Sequence, residues 1–425
     1  MSEPYATAEE LDAEDELAPY RKNFVLDETV YLDGNSLGAL PRAVPARLAD
    51  VVEREWGRMR IRSWSESGWW DAPERIGDRI APLVGAAEGQ IVVGDSTSVN
   101  IFKAVVAAVR IAQEESAGRP VRSEILVDAA TFPTDGYIAE SAARMTGATV
   151  RAVPAAGMAD AAGPATAVAL VNHVDYRTGE LHDLAAATAA VHRAGGRIVW
   201  DVCHSAGALP VELDASGADF AVGCTYKYLN GGPGSPAFLY VRRELQSRFD
   251  SPLPGWNSHT DPFAMSPGYV PAEGASRARV GTPDVLSMLA LEEALKVWDG
   301  VDIAAVRVKS LALTDFFLGR VRAYVPGGRL TSLTPEAHER RGSQVSLLCG
   351  GGDGGDGGND GNGGNDGDGA SAPDAESVMA ALHARGVVGD FRRPGVLRFG
   401  FTPLYTSFAD AERAASALGE AVRAG

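Results

Sequence analysis

Ile198-Val199-Trp200-Asp201-Val202-Cys203-His204-Ser205-Ala206-Gly207 and Ala218-Asp219-Phe220-Ala221-Val222-Gly223-Cys224-Thr225-Tyr226-Lys227 are the two stretches that decide the fold. Each carries a short apolar run with the composition of a buried strand. The first run ends in an acid, and 26 residues later the second ends in a lysine. Two strand ends of one parallel sheet can set those groups at opposite ends of one flat ring. Pyridoxal phosphate chemistry needs that pair: a carboxylate that keeps the pyridine nitrogen protonated, so that the ring accepts electrons, and a lysine that forms the Schiff base and later carries a proton.

Working outward, the same alternation continues. Ile91-Val92-Val93, Ile125-Leu126-Val127 and Val168-Ala169-Leu170-Val171 read as further buried strands, separated by Ala-rich helical stretches such as Leu184 to Ala194. Buried runs recurring every 35 to 45 residues or so predict βα units around a mostly parallel sheet. In such α/β sheets ligands bind at the carboxyl ends of the strands. Upstream, Val30-Tyr31-Leu32 runs into Asp33-Gly34-Asn35-Ser36-Leu37-Gly38 as a short strand entering a tight turn. Beyond residue 300 the pattern becomes a long helix, Val301 to Val321, then strands near Gly342 to Leu348 and Leu397 to Phe401, the signature of a smaller α+β domain. The expected division is an acidic N-terminal arm (1–26), a large domain (66–299) and a small domain (27–65 with 300–425). Residues 350–369, twelve Gly, five Asp and three Asn, interrupt the small domain. With no apolar side chain to offset ordering entropy, they read as a disordered loop, and they lack the large apolar residue that a calcium-binding repeat needs. No metal site is expected.

The net charge of -17 is concentrated. Seven acids fall in residues 1–20 and five in the Gly/Asp tract; without those twelve, 44 acids face 39 bases. A general nucleic-acid binder would carry a basic surplus instead. Three cysteines in 425 residues give no disulfide framework and suit a reducing compartment, so a cytoplasmic protein is expected. No apolar run approaches the roughly 18 residues of a membrane span, and no signal-peptide pattern opens the chain.

Further motifs match one family. Tyr226-Lys227-Tyr228-Leu229-Asn230-Gly231-Gly232-Pro233-Gly234, Tyr31 to Gly38, Phe132-Pro133-Thr134-Asp135, Gly281-Thr282-Pro283 and Arg398-Phe399-Gly400-Phe401-Thr402-Pro403-Leu404-Tyr405 together resemble the kynureninases. The resemblance runs from about residue 20 to the C-terminus, broken by the Gly/Asp tract. It implies a fold-type I pyridoxal phosphate enzyme with a mostly parallel seven-stranded sheet, acting as a homodimer on kynurenine or 3-hydroxykynurenine in tryptophan catabolism, NAD synthesis or secondary metabolism.

Carried over by position, Lys227 is the Schiff-base lysine, Asp201 the partner of the ring nitrogen and Tyr226 an acid/base. Phe132 would stack on the ring, with Pro133, Thr134, Asp135, Asn172 and His204 as further cofactor contacts. Thr97 and Ser98 would hold the phosphate, since Gly94-Asp95-Ser96-Thr97-Ser98-Val99-Asn100 opens a helix whose N-terminal N–H groups attract anions. Trp256 and Thr282 would reach the cofactor from the neighbouring subunit. Arg398 would fork onto the substrate carboxylate, while Ser36 and Trp64 would meet its aryl part. Arg392 and Arg393, before a Pro-Gly turn, read as solvated. The rival on the same fold is a cysteine desulfurase or selenocysteine lyase, for which Cys349, 122 residues after Lys227, would be the nucleophile.

Overall fold

A computed structural model describes residues 6–116, 120–350 and 373–424. The Gly/Asp tract beyond Gly350 lies outside the described residues.

The large sheet has seven strands in the order Ile91–Val93, Phe238–Val241, Phe220–Gly223, Arg197–Asp201, Thr166–Asn172, Glu124–Asp128 and Thr149–Val153. All neighbours run parallel except at Phe238–Val241, which is antiparallel to both of its partners. The strands read as unbroken apolar runs because both faces are covered. Val92, Ile125, Val168, Leu170, Val199, Phe220 and Val222 share one core with the helix Thr97–Glu115. The alternate residues Ile91, Val93, Leu126, Ala169, Val171, Ile198 and Trp200 share the other core, with Ile76 and Ile80 of the helix Ala72–Ile80 and Leu289 of the helix Val285–Ala294. Each fully buried Val, Ile or Leu in these layers contributes about 1.5–3 kcal/mol, so the period-two assignment of faces is strongly fixed.

The small domain is a four-stranded antiparallel sheet, Asp390–Arg392, Val396–Gly400, Gln344–Cys349 and Leu330–Ser332, covered by the helices Ile303–Tyr324, Ala375–Ala384 and Phe408–Ala424. The long helix thus runs a little further than the expected Val301 to Val321, ending where Val325 turns to extended backbone. Val30–Tyr31 pairs in parallel with Val387–Val388, and Asp33 bridges to Gly400. The turn after Tyr31 therefore sits on the small sheet. The helix Val44–Asp50 instead packs through Val44 on Ala290 and Ala294 of the large domain.

The acidic start is not a free arm. Thr7 and Glu10 form a capping box on the helix Ala8–Ala13. Asp12 accepts from the backbone N–H groups of Phe408 and Ala409, at 2.7 and 3.0 Å, and Asp15 pairs with the buried Lys309 at 2.6 Å. Leu17 and Phe24 are buried. Of the acids in this run, Glu10 closes the capping box, Asp12 caps the helix Phe408–Ala424 and Asp15 is an ion-pair partner on the small domain.

Candidate active site

The site begins with register. Asn172 and Asp201 end adjacent parallel strands and stand directly opposite each other. The Asn172 amide nitrogen donates to Asp201 Oδ2 and to Asp135 Oδ2, both at 3.0 Å, and its oxygen accepts from the Thr131 hydroxyl at 2.5 Å. The other Asp201 oxygen accepts the Cys203 N–H at 2.7 Å. Asp201 is thereby fixed as an acceptor. Burial first, and then the charge of Asp201, push the Asp135 carboxyl well above its ordinary value. Two carboxyl groups joined by one amide form a cavity end that favours a cation.

Lys227 does not close its strand. Phe220–Gly223 ends four residues earlier, and Cys224 to Tyr226 carry the chain on to the lysine. Its Nζ donates to His204 Nε2 at 2.8 Å. Burial, followed by the charge of Lys227, holds His204 well below the usual imidazole range, so His204 is neutral and accepts that bond without repulsion. Beside it, the Cys224 sulfur and then burial raise the Tyr226 phenol far above its ordinary value.

On the facing wall, Ser96 caps the helix Thr97–Glu115, its side chain accepting from Val99 N at 3.4 Å. That places Thr97 and Ser98 at a helix N-terminus, with free N–H groups and hydroxyls for an anion. Asp95, at φ +57°, precedes the cap and pairs with the buried Lys103 at 2.7 Å. Phe132 meets Tyr176 edge to face, ring centroids 5.2 Å apart.

These groups enclose one cavity of about 250 Å³, lined by Ser36, Thr97, Ser98, Phe132, Thr134, Asp135, Asn172, Asp201, His204, Tyr226, Lys227 and Arg398. Twelve of the sixteen residues singled out from sequence thus converge on one place. The other four do not line it. Pro133 takes the first position of the helix Pro133–Thr146, next to the wall. Trp64 packs edge to face on Trp69 and Trp70. Trp256 is 42% exposed, tilted against Trp70 and edge to face with Phe263, and Thr282 opens on a separate cleft with Lys103 and Arg279.

Asn35, Val174, Tyr176, Cys203 and Arg392 line the cavity without having been singled out as site residues. Arg392, taken for a solvated residue, lies at the cavity edge and bonds Asp390 at 2.9 Å. The signal in the sequence was spacing: Asp390 and Arg392, two residues apart, share one face of a strand, and the hairpin sets Arg398 opposite Asp390. Cys349 lies outside the cavity lining, at the end of its strand, and burial pushes its thiol up to about 11. A desulfurase nucleophile needs the opposite shift.

A family model for the kynureninase C-terminal domain matches residues 370–418, and one for class-V aminotransferases matches residues 30–358. A kynureninase of Pseudomonas fluorescens is 45% identical over 414 residues, covering 96% of this chain and 93% of that one. The chain belongs to the kynureninase family. A kynureninase of Burkholderia pseudomallei (strain 1106a) is likewise 45% identical over 404 residues, covering 94% of this chain and 91% of its own. Kynureninase architecture extends to solved structures of distant sequence. The apo cysteine desulfurase of Thermococcus onnurineus NA1 superposes with a TM-score of 0.75 at 18% identity, covering 96% of this chain and 98% of that one. The cystine C–S lyase C-DES, in complex with cysteine persulfide, gives 0.76 at 18% identity, over 93% and 98%. Those two likenesses speak for the fold alone.

Proposed function

We propose that this chain hydrolyses the Cβ–Cγ bond of L-kynurenine, or of 3-hydroxykynurenine, to anthranilate or 3-hydroxyanthranilate and L-alanine. The cofactor is pyridoxal phosphate. The observation that carries the reading is the meeting of Lys227, Asp201 and Arg398 in one cavity of a kynureninase-family chain.

The cavity suits the cofactor. Lys227 would bind it covalently, Asp201 would face its ring nitrogen, and Thr97 and Ser98 would take its phosphate; the carboxyl pair Asp201 and Asp135 favours a protonated ring nitrogen. When bound, the group supplies an electron sink for a carbanion next to the amino-bearing carbon of the substrate. The rest is the work of side chains. Asp201, held by Asn172 and by the Cys203 N–H, keeps a proton on the ring nitrogen. Lys227 Nζ, once free, takes the α-proton, and neutral His204 accepts its hydrogen bond and steers it. Tyr226 remains a phenol at neutral pH because its proton is held far above the ordinary range. It thus holds the proton that the carbanion at Cβ takes up after the aryl acid leaves, which so weak an acid yields only to so strong a base, and it can hydrogen-bond the water that adds to the γ-carbonyl. Arg398 receives the α-carboxylate, with Ser36 beside it.

The homodimer belongs to this proposal. Trp256, Phe263 and Met265 are exposed at 42, 70 and 79%, a patch too apolar to be an ordinary solvent face. Covering it with a second copy would bring Trp256 and Thr282 towards the partner's cavity. Among the described residues no helix is long and apolar enough to cross a membrane, and a cytoplasmic location is proposed.

The test is incubation of the holoenzyme with L-kynurenine, following anthranilate fluorescence and alanine release. Equimolar products are expected, absent in Lys227→Ala and undiminished in Cys349→Ala. Failure to form both anthranilate from L-kynurenine and 3-hydroxyanthranilate from 3-hydroxykynurenine overturns the proposal. Comparing kcat/KM for the two substrates assigns the preference.

A further inference from the structure

Arg398 is 2% exposed, and its guanidinium is not free in this structure. Nη1 donates to the Tyr176 carbonyl at 2.7 Å. Nη2 is bound to Asp390 Oδ2, with the Ser36 hydroxyl 3.5 Å away, while Nε is buried without a partner. A carboxylate binds an arginine side-on through the Nε and Nη2 hydrogens, which point the same way in the planar fork. One half of that fork is vacant, and a carboxylate of the protein itself holds the other half.

Asp390 has a second home. Its Oδ2 lies 2.9 Å from Arg392 Nη2, its Oδ1 accepts from Arg392 Nη1 at 3.1 Å and from Phe391 N at 2.6 Å. Arg392 is the more exposed cation, 46% for its side chain against 2% for that of Arg398, so it can follow Asp390 outward at little packing cost. Resting on the reading of Arg398 as the carboxylate receptor, we infer that Asp390 is a resident carboxylate. It occupies the substrate's place on Arg398 in the empty site, and is handed to Arg392 when an α-carboxylate arrives. The exchange keeps the buried guanidinium paired throughout, which avoids an uncompensated charge in the empty cavity. It also sets the affinity for carboxylate ligands through two side chains that the reaction does not use.

The inference fixes the sign of two effects. Asp390→Asn removes the competitor but leaves an acceptor for Ser36 and Arg392, so carboxylate ligands should bind more tightly. Arg392→Met removes the second home and strands Asp390 on Arg398, so they should bind more weakly. In the double variant the Arg392 effect should vanish, because there is no carboxylate left to hand over.

The experiment is calorimetric titration of the holoenzyme with L-alanine and, as a ligand without the carboxylate, ethylamine. For L-alanine the dissociation constant should fall about fivefold in Asp390→Asn and rise by a similar factor in Arg392→Met, a size typical of one partly exposed charge contact. Ethylamine should bind all forms alike. Weaker L-alanine binding in Asp390→Asn would show that Asp390 merely holds Arg398 in place and would overturn the inference. So would equal shifts for the two ligands, or an Arg392→Met effect that persists beside Asp390→Asn. Arg392 is exposed and its replacement does not threaten the fold, so its arm reads out even if Asp390→Asn is poorly stable. Because neither ligand requires C–C cleavage, a protein that shows these shifts but yields no anthranilate would refute the proposed reaction alone.

Discussion

Asp33 shows how one residue carries the tension of the site. It lies in the turn after Tyr31, with one carboxylate oxygen buried and unpartnered, close to Asp390 and Arg398. Burial first, offset in part by the Ser36 hydroxyl, raises it to about 6 from 3.8. Between those two values the folded chain binds a proton that the unfolded chain has lost. The resulting stabilisation is complete below about pH 4 and is lost as pH rises through 6, at most about 3 kcal/mol. Asp33→Asn, which cannot ionise, should therefore be more stable than the parent at pH 8 and should lose that advantage towards pH 4.5. Urea unfolding at the two pH values measures it, and a difference independent of pH would show that Asp33 is ionised in the folded chain. Asp135 is pushed the same way by the same cause, but the ring nitrogen proposed to bind beside it supplies a countercharge.

At the scale of elements, close approach joins motifs that are far apart in sequence. Gly38 donates its N–H to the Tyr226 carbonyl at 2.8 Å, and a Cβ at this position would lie 2.2 Å from the Lys227 carbonyl oxygen. The early turn therefore packs on the backbone of the lysine itself. Gly38→Ala should push the Lys227 segment away from His204 and weaken retention of the cofactor by about tenfold or more, while the chain stays folded. Absorbance near 420 nm during dialysis reads this out; full retention would show that the segment yields without moving Lys227. This contact also shows where the sequence was legible. Strands buried on both faces announce themselves as continuous apolar runs, so the core, the strand ends at Asn172 and Asp201, and the helix after Ser96 could be read directly. Lys227 was read as the end of a strand, whereas it lines the cavity four residues beyond Gly223, where the strand stops; no periodicity marks where pairing stops and the connecting turn begins. Tyr176 and Arg392 were harder, because they reach the cavity from a loop and a short hairpin strand whose position depends on contacts more than 200 residues apart, such as Arg398 Nη1 on the Tyr176 carbonyl.

For the whole molecule, the charge of -17 says less about partners than its size suggests. Asp12 and Asp15 fasten the N-terminus to the small domain, and breaking the Asp15–Lys309 pair would leave a buried ammonium short of a partner. The surface proposed to have a share in function is apolar. Trp256 and Thr282, proposed as cofactor contacts, do not line their own cavity, and Trp256 packs on exposed Phe263. If a second copy covers this face, each active site takes Lys227 from one chain and Trp256 and Thr282 from the other. Two inactive variants can then repair one another. A chain with Lys227→Ala, mixed with a chain carrying Trp256→Glu and Thr282→Ala and allowed to exchange subunits, should form heterodimers in which one of the two sites is intact. Half of the dimers are then mixed, so about a quarter of the parent activity should return, and it should appear at the rate of subunit exchange. Size-exclusion chromatography with light scattering checks that the assembly is a dimer. No recovery from a demonstrably mixed dimer of the two inactive variants would show that Trp256 and Thr282 do not serve the partner's site, and would make the exposed patch an interface without a catalytic share.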